Sequence, residues 1–156
     1  MTPFGTLNAG MQSVLTELPA CAGVSIVQED SQSLSTEIAK ALASIGMMIL
    51  LGTPGFRNDV PLGKLVNAKI EVELLVREVP TIWRRSKNPN PIHCSDLGQA
   101  VAQALQNVWF AGFQPLRIIH GYPLGSVSAK GASSEPIIFQ DFLLQIETMQ
   151  IFNLAT

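Results

Sequence analysis

Charge is what this sequence has least of: only 14% of its 156 residues are Asp, Glu, Lys or Arg, and they sum to a formal net charge of −2. That balance excludes a broadly basic nucleic-acid-binding surface but leaves room for a local basic patch. Cysteine is nearly absent as well. Cys21 and Cys94 are isolated and show no CxxC spacing, which argues against a disulfide framework and for a reduced, cytoplasmic setting. His93 and His120 are the only histidines, so four zinc ligands at suitable spacing do not exist, and neither a metal nor another cofactor is expected. Long hydrophobic runs are missing too. The longest, Met47 to Leu51, falls far short of the roughly 20 residues that cross a bilayer, and no cationic stretch precedes an apolar one at the N-terminus. Neither secretion nor membrane anchoring is expected.

What is abundant is apolar side chain, at 47% of the chain. The length suits one domain, 1–156, with a core that needs no staples. So little charge on so apolar a chain has two readings. Either copies or partners cover part of the surface, or a well-covered α/β core sits beneath a surface of Ser, Gln and Asn.

Periodicity divides the chain. Leu7, Met11, Val14, Leu15 and Leu18 lie on one stripe of a helix that Pro19 ends. Val24 to Gln28 reads as a short strand, and Asp30, Ser31 or Ser33 opens a second helix with Leu34, Ile38, Leu42 and Ile45 inward. Gly46 closes that helix, and Met47 to Leu51 reads as a central strand covered on both faces. After turn-rich residues 53–67, Ala68 to Val79 alternates strictly: Ile70, Val72, Leu74 and Val76 on one face, Glu71, Glu73, Leu75 and Arg77 on the other. Residues 80–94 carry three prolines and no period, predicting a long loop. Ser95 and Asp96 open a third helix with Leu97, Val101, Leu105 and Val108 inward, Ala100 and Ala104 allowing close approach to a sheet. Leu116 to Tyr122 and Ile137 to Phe152 read as strands, joined by a Gly/Ser/Ala-rich arm, 123–136, that holds Lys130. The order α-β-α-β-β-α-β-β predicts an α/β (α+β) fold: a mostly antiparallel or mixed sheet of about four to five strands flanked by helices.

Chemistry-bearing patterns are sparse. His93 beside Cys94 suggests a nucleophilic pair, yet neighbours in an extended segment point to opposite sides. A small hydrolase or transferase built on His93, Cys94 or His120 would need a pocket where at least two of them meet. Gly52 to Gly55 departs from a phosphate loop, because Lys64 lacks the Gly-Lys-Ser/Thr context and Pro54 removes a donor. Glu71 and Glu73 share a strand face, which fits paired carboxylates or an ordinary solvated face. The sharpest electrostatic feature is Arg84, Arg85 and Lys87, three of the ten cations within four positions, with no acid between Glu78 and Asp96. Such a cluster is either a solvated loop or a contact for an acidic surface or phosphate. Trp83 beside it is either an interface anchor or a core residue at the strand end.

The strand Ile-Glu-Val-Glu-Leu-Leu-Val-Arg-Glu-Val-Pro, the basic segment after it, the helix Asp-Leu-Gly-Gln-Ala-Val-Ala-Gln-Ala-Leu, then Gln-Pro-Leu-Arg and a long terminal strand, together resemble small tail or neck proteins of tailed bacteriophages, tail terminators above all. The resemblance implies a non-enzymatic virion structural protein, assembled in the host cytoplasm as a homo-oligomeric, typically sixfold ring. Such a ring caps the tail tube and presents a docking face to the head connector, with loops and arms reaching the next subunit and the tube or sheath. A sheath initiator, a baseplate protein or a neck adaptor fits the same pattern. The family has no catalytic residues to carry over. On this reading Trp83, Arg84, Arg85, Lys87 and Lys130 are interface residues, and the cations meet acidic side chains of a neighbour or, alternatively, DNA in a central channel.

Overall fold

A computed structural model describes residues 3–57, 67–83, 92–130 and 136–151. Helix α1 spans Pro3–Glu17, with proline at its first position, where a missing N–H costs nothing. Leu7, Met11 and Leu15 recur every four residues and are fully buried, while Val14 and Leu18 pack at the margin. A single 3₁₀ turn at Pro19–Cys21 leads to strand β1, Ser25–Gln28. Helix α2, Leu34–Ser44, ends at Gly46, whose φ of 84° lets its N–H return to the Ala41 carbonyl at 3.1 Å, a bend that side-chain-bearing residues resist. Strand β2, Met47–Leu51, follows at once.

Strands β3 (Gly55–Arg57) and β4 (Asn67–Glu78), a one-turn helix α3 (Pro80–Trp83), helix α4 (Cys94–Leu105), and strands β5 (Arg117–Lys130) and β6 (Pro136–Ile151) complete the described elements. The sheet runs β1-β2-β4-β6-β5, with β3 adding to β4. Only β1 and β2 are parallel, as a helical crossover through α2 requires; every other pairing is antiparallel. The fold is therefore the mixed α+β class that the element order predicts, with six strands because three residues of the turn-rich 53–67 stretch pair with Lys69–Glu71.

The alternation in β4 is realised. Ile70, Val72, Leu74 and Val76 are buried beneath α1 and α4, with Leu144 and Ile146 of β6 beside them. Each such side chain contributes roughly 1.5–3 kcal/mol when fully buried. In β2, Met47, Ile49 and Leu51 join this core, while Met48 turns the other way into a second cluster with Ala41, Leu42 and Val79, flanked by Ile82 and Phe139. The uninterrupted apolar run is thus covered on both faces. Beyond α2 and α3, from Glu71 to Leu75 and across Leu143 to Met149, no described helix packs on this second face of the sheet.

Three sequence expectations are corrected. The 123–136 arm is not loop throughout: β5 continues to Lys130 and β6 begins at Pro136, in register Pro123↔Phe142, Ser126↔Gln140 and Lys130↔Pro136, with residues 131–135 outside the described residues. Proline is tolerated because β5 is an edge strand, and Gly125, at φ 80°, takes up one of two bulges. The 80–94 stretch is not loop throughout, since Pro80–Trp83 makes a helical turn and α4 starts at Cys94. Helix α4 also stops at Leu105, before Val108; the chain leaves it through Asn107, at φ 67°.

Candidate functional site

Of the sequence-predicted interface residues, Arg84, Arg85 and Lys87 lie outside the described residues. Lys130 is the last residue of β5, opposite Pro136 at the far end of the β5–β6 hairpin. Trp83 is corrected from interface anchor to core: it is 2% exposed, and its indole Nε1–H donates to the Ile92 carbonyl at 2.9 Å. Indole N–H groups seek an acceptor when buried, and this one ties together the two residues that bracket segment 84–91.

Next to that tie sits a buried carboxylate. Glu78, the last residue of β4, has no exposed surface, and its Oε1 accepts the Cys94 backbone N–H at 2.9 Å. Cys94 is the first residue of α4, whose N-cap, His93, makes no side-chain cap. A strand residue therefore supplies the capping acceptor, and its charge sits at the favourable end of the helix dipole. His93 Nδ1 lies 3.2 Å from both Glu78 oxygens, within hydrogen-bonding reach of each. The start of α4 and the end of β4 are thereby fastened to each other.

His93 and Cys94 do not form an activated pair. The imidazole is committed to Glu78, and Cys94 is 4% exposed, its thiol pKa pushed up by burial and then by the Glu78 charge, the opposite of what a nucleophile needs. His120 lies elsewhere, its ring tilted against that of Tyr122 with centroids 4.6 Å apart. Among the described residues no group of three or more His, Cys, Asp and Glu is placed to hold a metal, and no helix is long and apolar enough to cross a membrane.

The uncovered sheet face is patterned by charge. Arg77 donates to both oxygens of Asp141, at 2.8 and 2.7 Å across the β4–β6 ladder, and lies over the Phe139 ring at 4.9 Å. The hydrogen bond to Asp141 raises the Arg77 pKa further. Glu147 is shared between Lys69, at 3.0 Å, and Arg117, at 4.0 Å. Glu71 and Glu73 are exposed and have no ion-pair partner among the described residues. They border a hollow of about 150 Å³ with Ile119, Gln145 and Glu147.

Exposed apolar side chains mark the rest of the surface. Ile119, Leu124 and Ile138, 46–53% exposed, all lie on the β5–β6 hairpin, while Phe56 and Trp109 stand out at 62% and 66%. Sequence reading passed over these residues because a hydrophobic residue in a strand pattern is ordinarily assigned inward. The signal that was present is the Pro-Leu-Gly sequence at 123–125, whose bulge sits at a sheet edge. Compared with known proteins, the chain matches no family model and no curated protein.

Proposed function

We propose that this chain is a non-enzymatic assembly protein of a bacteriophage tail, a terminator whose copies close into a ring that caps the tail tube and meets the head connector. The observation that carries the reading is the β5–β6 hairpin. Its pairs from Val127↔Phe139 to Lys130↔Pro136 lie past the Glu78↔Gln140 pair where β4 stops, so this stretch is a two-stranded ribbon beyond the sheet. A free two-stranded ribbon is marginal in water, and here it carries the exposed Ile138, while Ile119 and Leu124 are exposed on the part of β5 that belongs to the sheet. Such a ribbon gains cover when it lies on a neighbouring copy, and head-to-tail contacts of this kind close into rings.

The other features agree. The low charge content suits a surface partly covered by copies, and Trp109 is the kind of exposed aromatic that anchors interfaces. The Trp83–Ile92 and Glu78–Cys94 ties give segment 84–91, with its Arg84, Arg85 and Lys87, a fixed base from which to meet a partner. Multi-angle light scattering and negative-stain imaging test the proposal, with purified tail tubes as the partner. A ring that binds tube ends is expected; a chain that stays monomeric at every concentration and ignores tubes would overturn it.

A further inference from the structure

We infer that the exposed Trp109 of one copy seats in the groove between β1 and α2 of the next, so that each contact joins two unlike surfaces of the same chain. The inference rests on the ring reading and deepens it by naming both halves of the contact.

Trp109 stands on a fixed base. Its side chain is 66% exposed, yet the aromatic residues that follow it are anchored: Phe113 is buried, and Phe110 packs on the core where Gly10 of α1 leaves room for its ring. Backbone bonds close the loop around it. Asn107 N–H reaches the Leu116 carbonyl at 2.9 Å, Leu116 N–H the Val108 carbonyl at 2.9 Å, and Gln114 N–H the Met149 carbonyl of β6 at 2.8 Å. An indole held this way gives up little freedom on binding, and it offers both a broad apolar face and an N–H donor.

The groove is a hollow of about 260 Å³ between β1, an edge strand of the sheet, and the flank of α2. A cavity of about 150 Å³ takes a benzene ring, so this one has room for the fused rings of an indole. Val27, Ala41 and Ile45 give it an apolar lining, and the exposed Glu37 and Lys40 complete its wall. Neither of these two has an ion-pair partner among the described residues. A carboxylate accepts an indole N–H, and an ammonium is drawn to the face of an indole more than to any other aromatic ring. Size, apolar lining and charge therefore fit one and the same side chain.

The two halves do not meet within one chain. Through Phe110 and Phe113, Trp109 belongs to the layer of α1 and α4, whereas α2 packs with Met48 on the opposite face of the sheet. A chain with a knob on one layer and its hole on the other joins copies head to tail, the type of contact that closes into a ring.

Two variants and a quenching measurement test the pairing. Trp109→Ala removes the knob, and Ser44→Trp, at an exposed position on the groove wall, fills the hole; circular dichroism and denaturation midpoints check both folds. Sedimentation equilibrium should show self-association of each variant weakened roughly thirtyfold or more, the loss expected for an interface anchor. Mixed one to one, the variants should pair and stop there, because the open groove of the first receives the knob of the second and no other knob and groove remain. Trp83 is buried, so acrylamide quenching reads chiefly Trp109, and it should fall as the wild type assembles. If the wild type assembles while Trp109 stays open to quencher, or either variant assembles as the wild type does, or mixing yields no pairs, the pairing is overturned while the ring stands. A wild type that never self-associates would overturn the ring reading and the pairing with it.

Discussion

The Glu78 side chain of β4 accepts the backbone N–H of Cys94 at 2.9 Å with no part of its carboxylate in water, so one strand residue caps the helix that begins sixteen positions later. Removing it leaves a buried N–H without an acceptor and frees His93. Glu78→Ala is expected to cost on the order of 3 kcal/mol by urea denaturation, as for a buried hydrogen bond to a charged group. Glu78→Gln keeps one carbonyl acceptor for Cys94 and should cost distinctly less; equal losses would mean that the cap contributes nothing.

Asp141 is 3% exposed in its side chain and relies on Arg77, which keeps 27% of its own in water. Arg77→Met should destabilise by about 2 kcal/mol, below the 3–5 typical when a fully buried pair is broken, because water still reaches the site. Replacing both residues with leucine should recover most of the loss. A thermodynamic double-mutant cycle with no coupling would contradict this account.

Burial pushes the Cys21 thiol pKa up to about 11, from 9.0. The folded state then holds this proton where the unfolded chain has released it, so stability is complete below pH 9 and declines as pH rises from 9 to 11. Burial raises Cys94 in the same direction. Denaturation midpoints across that range should fall more steeply for the wild type than for Cys21→Ala. At pH 8, both thiols should resist an aromatic disulfide reagent until denaturant is added.

Helix α4 meets β6 at Gly98, where an added Cβ would overlap the Phe142 ring. Alanine is the better helix former by about 1 kcal/mol, yet overpacking costs about 1–3 kcal/mol, so Gly98→Ala should be neutral to destabilising. Adding Phe142→Leu makes room and should turn the alanine into a gain over Phe142→Leu alone. The close approach that Ala100 and Ala104 suggested is provided here by glycine.

The helices and the β4 core were legible because burial on one face of a regular element forces a period. Every four residues for Leu7, Met11 and Leu15, and every two for Ile70 to Val76, point to their neighbours before any are known. Gly46 and Pro19 likewise mark ends through local backbone sterics alone. The β5–β6 hairpin was not legible: Gly, Ser and Pro mark turns on their own, but ladder hydrogen bonds to a long apolar partner strand outweigh that preference. Trp83 looked like an anchor because charges follow it, and only the position of Ile92 shows that its indole points inward.

By itself the sequence determined the class of fold, the faces of its regular elements, and the gathering of positive charge at residues 84–87, since each depends on composition and on spacing along one chain. Tertiary structure alone decided that Glu78 caps α4, that Asp141 belongs to Arg77, and that the acidic half of the sheet is left uncovered. Those relations join residues 16 to 64 positions apart, and no local period records which distant groups a folded chain brings within hydrogen-bonding distance.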